Sequence, residues 1–118
     1  MNTRKDNDFL NGVPELLLLR LLARRPMHGY ELVQAIRAAG GDVLAFGEGC
    51  VYPVLHRLET EGRLASARET VGGRSRVVYH LTAGGRQRLA AAAARWARVA
   101  GAVEALLKGG GDVGPALA

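Results

Sequence analysis

The strongest constraint in this sequence is a spaced run of apolar residues near its end. Leu89, Ala92, Trp96, Val99, Val103 and Leu106 recur at steps of three and four, the spacing that keeps an apolar seam on one side of a helix turned toward a partner helix. Thr82 is placed to cap such a helix, which spans 83–107 and reaches roughly 37 Å at the standard rise. A chain of 118 residues builds one small core, and a rod of that length outreaches it. The seam therefore predicts a homodimer joined along its terminal helices. Gly101 weakens the rod by about 1 kcal/mol relative to alanine, while its small size permits close packing. The glycines at 109–111 end the periodicity, and 108–118 is expected to be a loose tail.

Ahead of the rod, three helical stretches precede two extended ones. The polar residues 1–8 predict a mobile arm carrying Arg4 and Lys5, with order beginning near Phe9. Pro14 and Glu15 suit a helix start, and 16–22 is apolar almost all round until Arg24, Arg25 and Pro26 close it. So apolar a helix needs cover on more than one side, which assigns Leu17 and Leu21 to the dimer interface beside the seam residues. A second helix, 28–39, buries Leu32, Ile36 and Ala39 and stops at Gly40-Gly41. A third, 49–61, carries an inner stripe of Val51, Val54, Leu55 and Leu58, with Pro53 in its first turn and Gly62 at a left-handed cap. The period then becomes two. Residues 64–70 and 76–81 read as strands joined by a glycine-bearing link, with Val77, Tyr79 and Leu81 on the face that buries.

Composition excludes several classes. The leucines at 16–19 fall far short of the ~20 apolar residues that cross a bilayer, and no hydrophobic export signal follows a basic start. The single cysteine, Cys50, forms no internal disulfide, and three scattered histidines make no metal site of familiar spacing. No metal or cofactor is expected, and a cytoplasmic location fits. Charge is more informative: the formal net charge is +5, and every charged residue between Glu69 and Glu104 is an arginine. An anionic partner follows, nucleic acid first, although an arginine-rich, alanine-rich composition is also what a GC-rich genome yields.

Three helices, a two-stranded ribbon and a long helix, in that order, define a mainly α chain with a small two-stranded β wing. It is the layout of a winged helix-turn-helix over 9–82 followed by a dimerisation helix over 83–107. In such a module the third helix enters a major groove, and the ribbon lies alongside it. Arg74, Ser75 and Arg76 beside Gly72-Gly73 make the ribbon tip a cationic finger for phosphates or a minor groove.

Pro26-Met27-His28-Gly29-Tyr30-Glu31-Leu32, Glu48-Gly49-Cys50-Val51-Tyr52-Pro53-Val54-Leu55-His56-Arg57-Leu58-Glu59, Glu61-Gly62 and Tyr79-His80-Leu81-Thr82 with Gly85-Arg86 resemble the PadR family of bacterial transcriptional regulators across 9–107. The resemblance implies a homodimeric winged-helix repressor of the compact subgroup with one C-terminal helix; members of the family commonly respond to phenolic acids, drugs or other small aromatic compounds, with considerable diversity. It places Gly49, Cys50, Tyr52, Pro53 and His56 at the groove, Arg74 and Arg76 on the wing, and Tyr30 on phosphate. Cys50 departs from the serine or threonine usual there, and a thiol is a weaker donor and cap.

Tyr52, His56 and Glu59 share a helix face distinct from the leucine stripe; Tyr52, His56 and, at the flank of that face, Arg57 are expected to contact DNA, whereas Glu59 is expected to pair with a basic neighbour. His28 reads as a structural histidine in a turn. Cys50 near a helix start invites a lowered thiol pKa and a redox switch, with no second cysteine to resolve it. Trp96, with Ala92, Ala93 and Ala100 as small neighbours, is a candidate pocket for a small aromatic effector, against the plainer reading of an interface residue that packs. The expected mechanism is a dimer on double-stranded DNA, its two reading helices about 34 Å apart on a near-palindromic operator. The alternative is a winged-helix protein-interaction module without direct DNA binding. No catalytic residues are assigned, because Cys50 and His56 on a groove-facing helix lack an enclosed pocket.

Overall fold

The computed structural model describes residues 3–41, 43–44 and 46–109, with side chains from residue 12 onward. The chain runs α1 (Thr3–Arg24), β1 (Met27–His28), α2 (Gly29–Gly40), α3 (Glu48–Thr60), β2 (Leu64–Val71), β3 (Arg74–Leu81) and α4 (Ala83–Leu107). The strands form one antiparallel sheet in the order β1-β3-β2, with Met27 opposite Tyr79 and Val71 opposite Arg74.

The core lies where α1, α2 and α3 converge on the base of the sheet. Leu18, Leu19, Leu32, Val33, Val51, Leu55 and Leu58 are wholly buried or nearly so, with Leu64 and Tyr79 closing the sheet side. The inner stripe of α3 is the one its periodicity predicts. On α2 the buried residues are Leu32, Val33 and Ile36. Ala39, expected inside, is exposed because the last turn of α2 runs past the core.

α1 starts at Thr3, so the expected arm gives way to helix from that residue, while residues 1 and 2 lie outside the described part. Pro14 is internal and fully buried, and burial of its ring compensates for the helical donor it lacks. Pro53 likewise lies in the second turn of α3 rather than the first, leaving the Gly49 carbonyl without its helical donor. α3 ends as Gly62 predicts. The glycine takes φ +78°, its N–H donates to the Glu59 carbonyl at 3.0 Å, and the Arg63 N–H donates to the Leu58 carbonyl at 2.8 Å, a Schellman closure.

The ribbon is longer and its turn tighter than the sequence suggests. β2 and β3 pair as far as Val71 and Arg74, leaving Gly72 and Gly73 as a two-residue turn with φ of +59° and +80°; such a turn matches the twist of the flanking strands. The buried face also differs. Val77, expected inside, is 38% exposed, whereas Val78 and Tyr79 are both 4% exposed. The outer ribbon projects past the core, while at its base β3 is the central strand between β1 and β2. The addition of β1 makes the sheet three-stranded.

α4 has the expected bounds, and Thr82 Oγ1 accepts from the Gly85 N–H at 3.0 Å to cap it. Its docking explains the glycine there: a Cβ on Gly85 would stand 2.1 Å from the Arg63 carbonyl oxygen. From Ala93 to Leu107 every residue except Ala100 is exposed. No helix of the described residues is long and apolar enough to cross a membrane.

Candidate nucleic-acid interface

The face of α3 beside its buried stripe carries Tyr52, His56 and Glu59. These residues line a cleft of about 520 Å³ with His28 and Tyr30 of the α2 start, Ser66 of β2, and Ser75, Arg76, Val77 and Tyr79 of β3. The reading face, the wing base and the α2 N-terminus thus meet in one concavity.

Tyr52 leans on α2 rather than standing free. A Cβ on Gly29 would lie 2.4 Å from its Cε1 and 2.8 Å from its hydroxyl oxygen, so the ring occupies the space that glycine leaves. Burial pushes the phenol pKa up, the Glu48 carboxylate adds to this, and Arg76 opposes it. Tyr79 forms the floor; burial, then the charge of Glu59, raises its phenol. Glu59 takes no basic partner among the described residues: its Oε2 accepts from Ser66 Oγ at 2.6 Å, because β2 packs Ser66 against α3. His28 is structural as expected, capping α2 with Nδ1, which accepts from the Glu31 N–H at 3.3 Å. Tyr30 beside it is 48% exposed. Glu31 is held by Arg25, whose hydrogen bond lowers the carboxyl pKa.

At the N-terminus of α3, Gly49 is exposed and Cys50 half-buried, and the cap position, Gly47, has no side chain to cap the helix. Burial raises the Cys50 thiol pKa, contrary to the lowering expected from its position, which reduces the thiolate fraction on which a redox switch would draw. Pro53 and His56 are exposed. On the wing, Arg74 and Ser75 are exposed and Arg76 is half-buried toward Tyr52. Arg68, which sequence reasoning passed over, donates to Ser75 Oγ at 3.4 Å and adds a cation to the ribbon.

Arg57 does not join this face. Its Nη2 donates to Glu15 Oε1 of α1 at 2.8 Å, and its Nη1 reaches Glu61 Oε2 at 3.3 Å. Five residues beyond Tyr52 is about 140° round a helix, which turns Arg57 toward α1. The other Glu15 oxygen accepts from Arg88 Nε of α4 at 2.5 Å. Glu15, read from sequence as a helix-start charge, is instead a 6% exposed carboxylate bridging three helices. Burial alone would raise its pKa, but the hydrogen bonds and charges of Arg88 and Arg57 outweigh it and the net shift is downward.

A second groove, about 570 Å³, runs between α1 and α4 past this carboxylate. Trp96 and Ala92 line it with Val13, Leu16, Arg88 and Arg95, whereas Ala93 and Ala100 do not. Of the interface candidates, Leu17, Leu21, Leu89 and Ala92 are half-buried, while Trp96, Val99, Val103 and Leu106 are between 45% and 63% exposed. No group of histidine, cysteine and acidic side chains among the described residues is placed to hold a metal ion.

A helix-turn-helix with a paired ribbon at its flank and a projecting helix behind defines a winged-helix regulator of transcription. Residues 18–91 match the model of the transcriptional regulator PadR-like family, and the chain belongs to that family. It is 38% identical over 82 residues to the transcriptional regulator Rv3488 of Mycobacterium tuberculosis, covering 70% of this chain and 74% of that one. Among solved structures, a PadR-like transcriptional regulator from Bacillus cereus superposes with a TM-score of 0.77 at 29% identity, covering 86% of this chain and 98% of that chain. A PadR family regulator from Eggerthella lenta gives 0.71 at 30% identity, over 89% and 90% of the two chains. The family is one of transcription regulators, not enzymes, and its role implies DNA binding.

Proposed function

We propose that this regulator is a homodimeric repressor that reads a near-palindromic operator in double-stranded DNA, with 9–82 contacting DNA and 83–107 joining the protomers. One observation carries the reading: Tyr52 and His56 face outward from α3 into the same cleft as Arg76 of the wing. That arrangement supports α3 in a major groove, with Gly49, Cys50 and Pro53 at its entering end. Tyr30, Arg74 and Ser75 then meet flanking phosphates, which supplies affinity that is sensitive to salt and indifferent to sequence. The exposed Trp96, Val99, Val103 and Leu106 support pairing through α4, with Leu17, Leu21, Leu89 and Ala92 at its margin. A small aromatic effector is assigned to the groove along Trp96, where differential affinity for two settings of the dimer releases the operator. The protein works in the cytoplasm.

Footprinting on the DNA flanking its own gene, with a salt titration, tests the proposal. The expected result is protection of two half-sites one helical turn apart and affinity that falls steeply with salt. Tyr52→Phe is expected to weaken specific binding while the mass in sedimentation stays unchanged. Absence of DNA retention, with salt-insensitive capture of a protein partner, would replace this reading with a docking module.

A further inference from the structure

At the α4 start, the Cβ-free Gly85 sits on the Arg63 carbonyl, Thr82 Oγ1 donates to the Gly62 carbonyl at 2.7 Å, and Arg63 Nη1 donates to the Gly84 carbonyl at 3.2 Å. These contacts fix one point of the rod, and a rod held at one point pivots. Leu89 packs against the core nearby, but apolar contact is non-directional and leaves the angle soft. The directional second point is Glu15, which grips Arg88 of α4 with one oxygen and Arg57 of α3 with the other.

The leverage is large. Arg88 lies roughly 4.5 Å along the helix from Gly85, so a 1 Å shift there, about 13°, moves the distant end of α4 by about 7 Å. That is close to two base-pair steps of roughly 3.4 Å.

We infer that Glu15 is a positioning residue for operator recognition: its carboxylate, shared between Arg57 and Arg88, sets the angle between the reading helix and the pairing rod, and with it the half-site spacing the dimer accepts. The inference rests on the dimeric DNA-reading function proposed above. Glu15 touches no base. Its effect reaches DNA only through the separation of the two copies of α3.

The test is selection from a randomised duplex pool of about 40 base pairs, long enough for two half-sites at several spacings, by the full chain and by Glu15→Gln. The amide keeps the size of the side chain and removes its charge. Both proteins are expected to enrich the same half-site sequence. The intact chain is expected to favour one spacing at least about tenfold over spacings one base pair longer or shorter, and Glu15→Gln less than about threefold. Arg88→Met removes only the α4 arm of the bridge and is expected to broaden spacing in the same way; it decides the matter alone if Glu15→Gln does not fold. Mere loss of stability lowers the amount of active protein without altering which spacing it selects. A folded variant with the spacing distribution of the intact chain overturns the inference and leaves the proposed function standing. An intact chain that enriches no paired half-sites overturns both.

Discussion

Gly29 and Tyr52 show how one absent methyl group places a reading side chain. The Tyr52 ring fills the space above Gly29, so Gly29→Ala must move the ring, with Cε1 only 2.4 Å from the new Cβ. A half-buried tyrosine can swing outward at little cost to the core, and alanine is a better helix residue than glycine. Gly29→Ala is therefore expected to leave thermal unfolding within a few degrees of wild type while weakening specific duplex binding about tenfold, comparable to losing one good base contact. Equal losses in thermal stability and binding would mean that the ring is structural only. Glu15 is the opposite case, a side chain whose charge does the holding. Its folded pKa is lowered from 4.5, so its contribution is present above that value and is lost as pH falls through the folded pKa. Glu15→Gln is expected to cost about 1–3 kcal/mol near neutrality, below the usual range for breaking a buried pair because both arginines are close to half exposed. The difference should shrink below about pH 4.5 as the wild-type carboxylate protonates. Urea midpoints from neutral to acid pH check this, and parallel curves would show that the carboxylate is not the source.

The joint between α3, the wing and α4 depends on which of two adjacent glycines is replaced. At Gly85 a Cβ would strike the Arg63 carbonyl at 2.1 Å and Leu81 Cδ1 at 2.5 Å, and the backbone atom cannot step aside. At Gly84 the nearest atom, the Gly62 carbonyl oxygen, is 3.4 Å away, ordinary contact. Gly85→Ala is expected to destabilise by about 2–3 kcal/mol, and Gly84→Ala to be neutral or stabilising by up to about 1 kcal/mol. Denaturant midpoints of the two variants should therefore move in opposite directions or by clearly different amounts. The same region shows what the sequence makes legible. Gly62, Thr82 and the ends of α4 are local matters of one turn, and local rules predict them. β1 and the role of Glu15 depend on residues distant in the chain: β1 forms only by pairing with β3, and Glu15 meets Arg57 and Arg88 only after three helices have packed. A lone acid directly before a leucine run was the available signal for a buried ion bridge. From the sequence it reads as a helix-start charge, because Pro14 suits a first-turn proline. Arg57 reads as a DNA contact at the flank of the reading face for a related reason, since one helix's periodicity cannot say which flank another helix covers.

At the scale of the molecule, the shape departs from that of a compact globule. The radius of gyration is 17.4 Å and the longest extent 64 Å, against roughly 13–14 Å for the radius of a compact globule of this length. The excess comes with a rod that carries Trp96, Val99, Val103 and Leu106 uncovered, a larger apolar stripe than the scattered exposed residues of a monomer. If a second copy covers that stripe, dissociation and unfolding are linked, and the thermal midpoint should rise with protein concentration. Trp96→Asp places a charge in the middle of the seam at a residue that is not part of the buried core. It is expected to halve the sedimenting mass, to abolish the concentration dependence of the midpoint, and to leave the helical circular dichroism largely intact. Specific duplex affinity should fall toward that of a single half-site, because two copies of α3 no longer bind as one unit. A Trp96→Asp protein that sediments at the mass of the unaltered chain would place the pairing surface elsewhere than along α4.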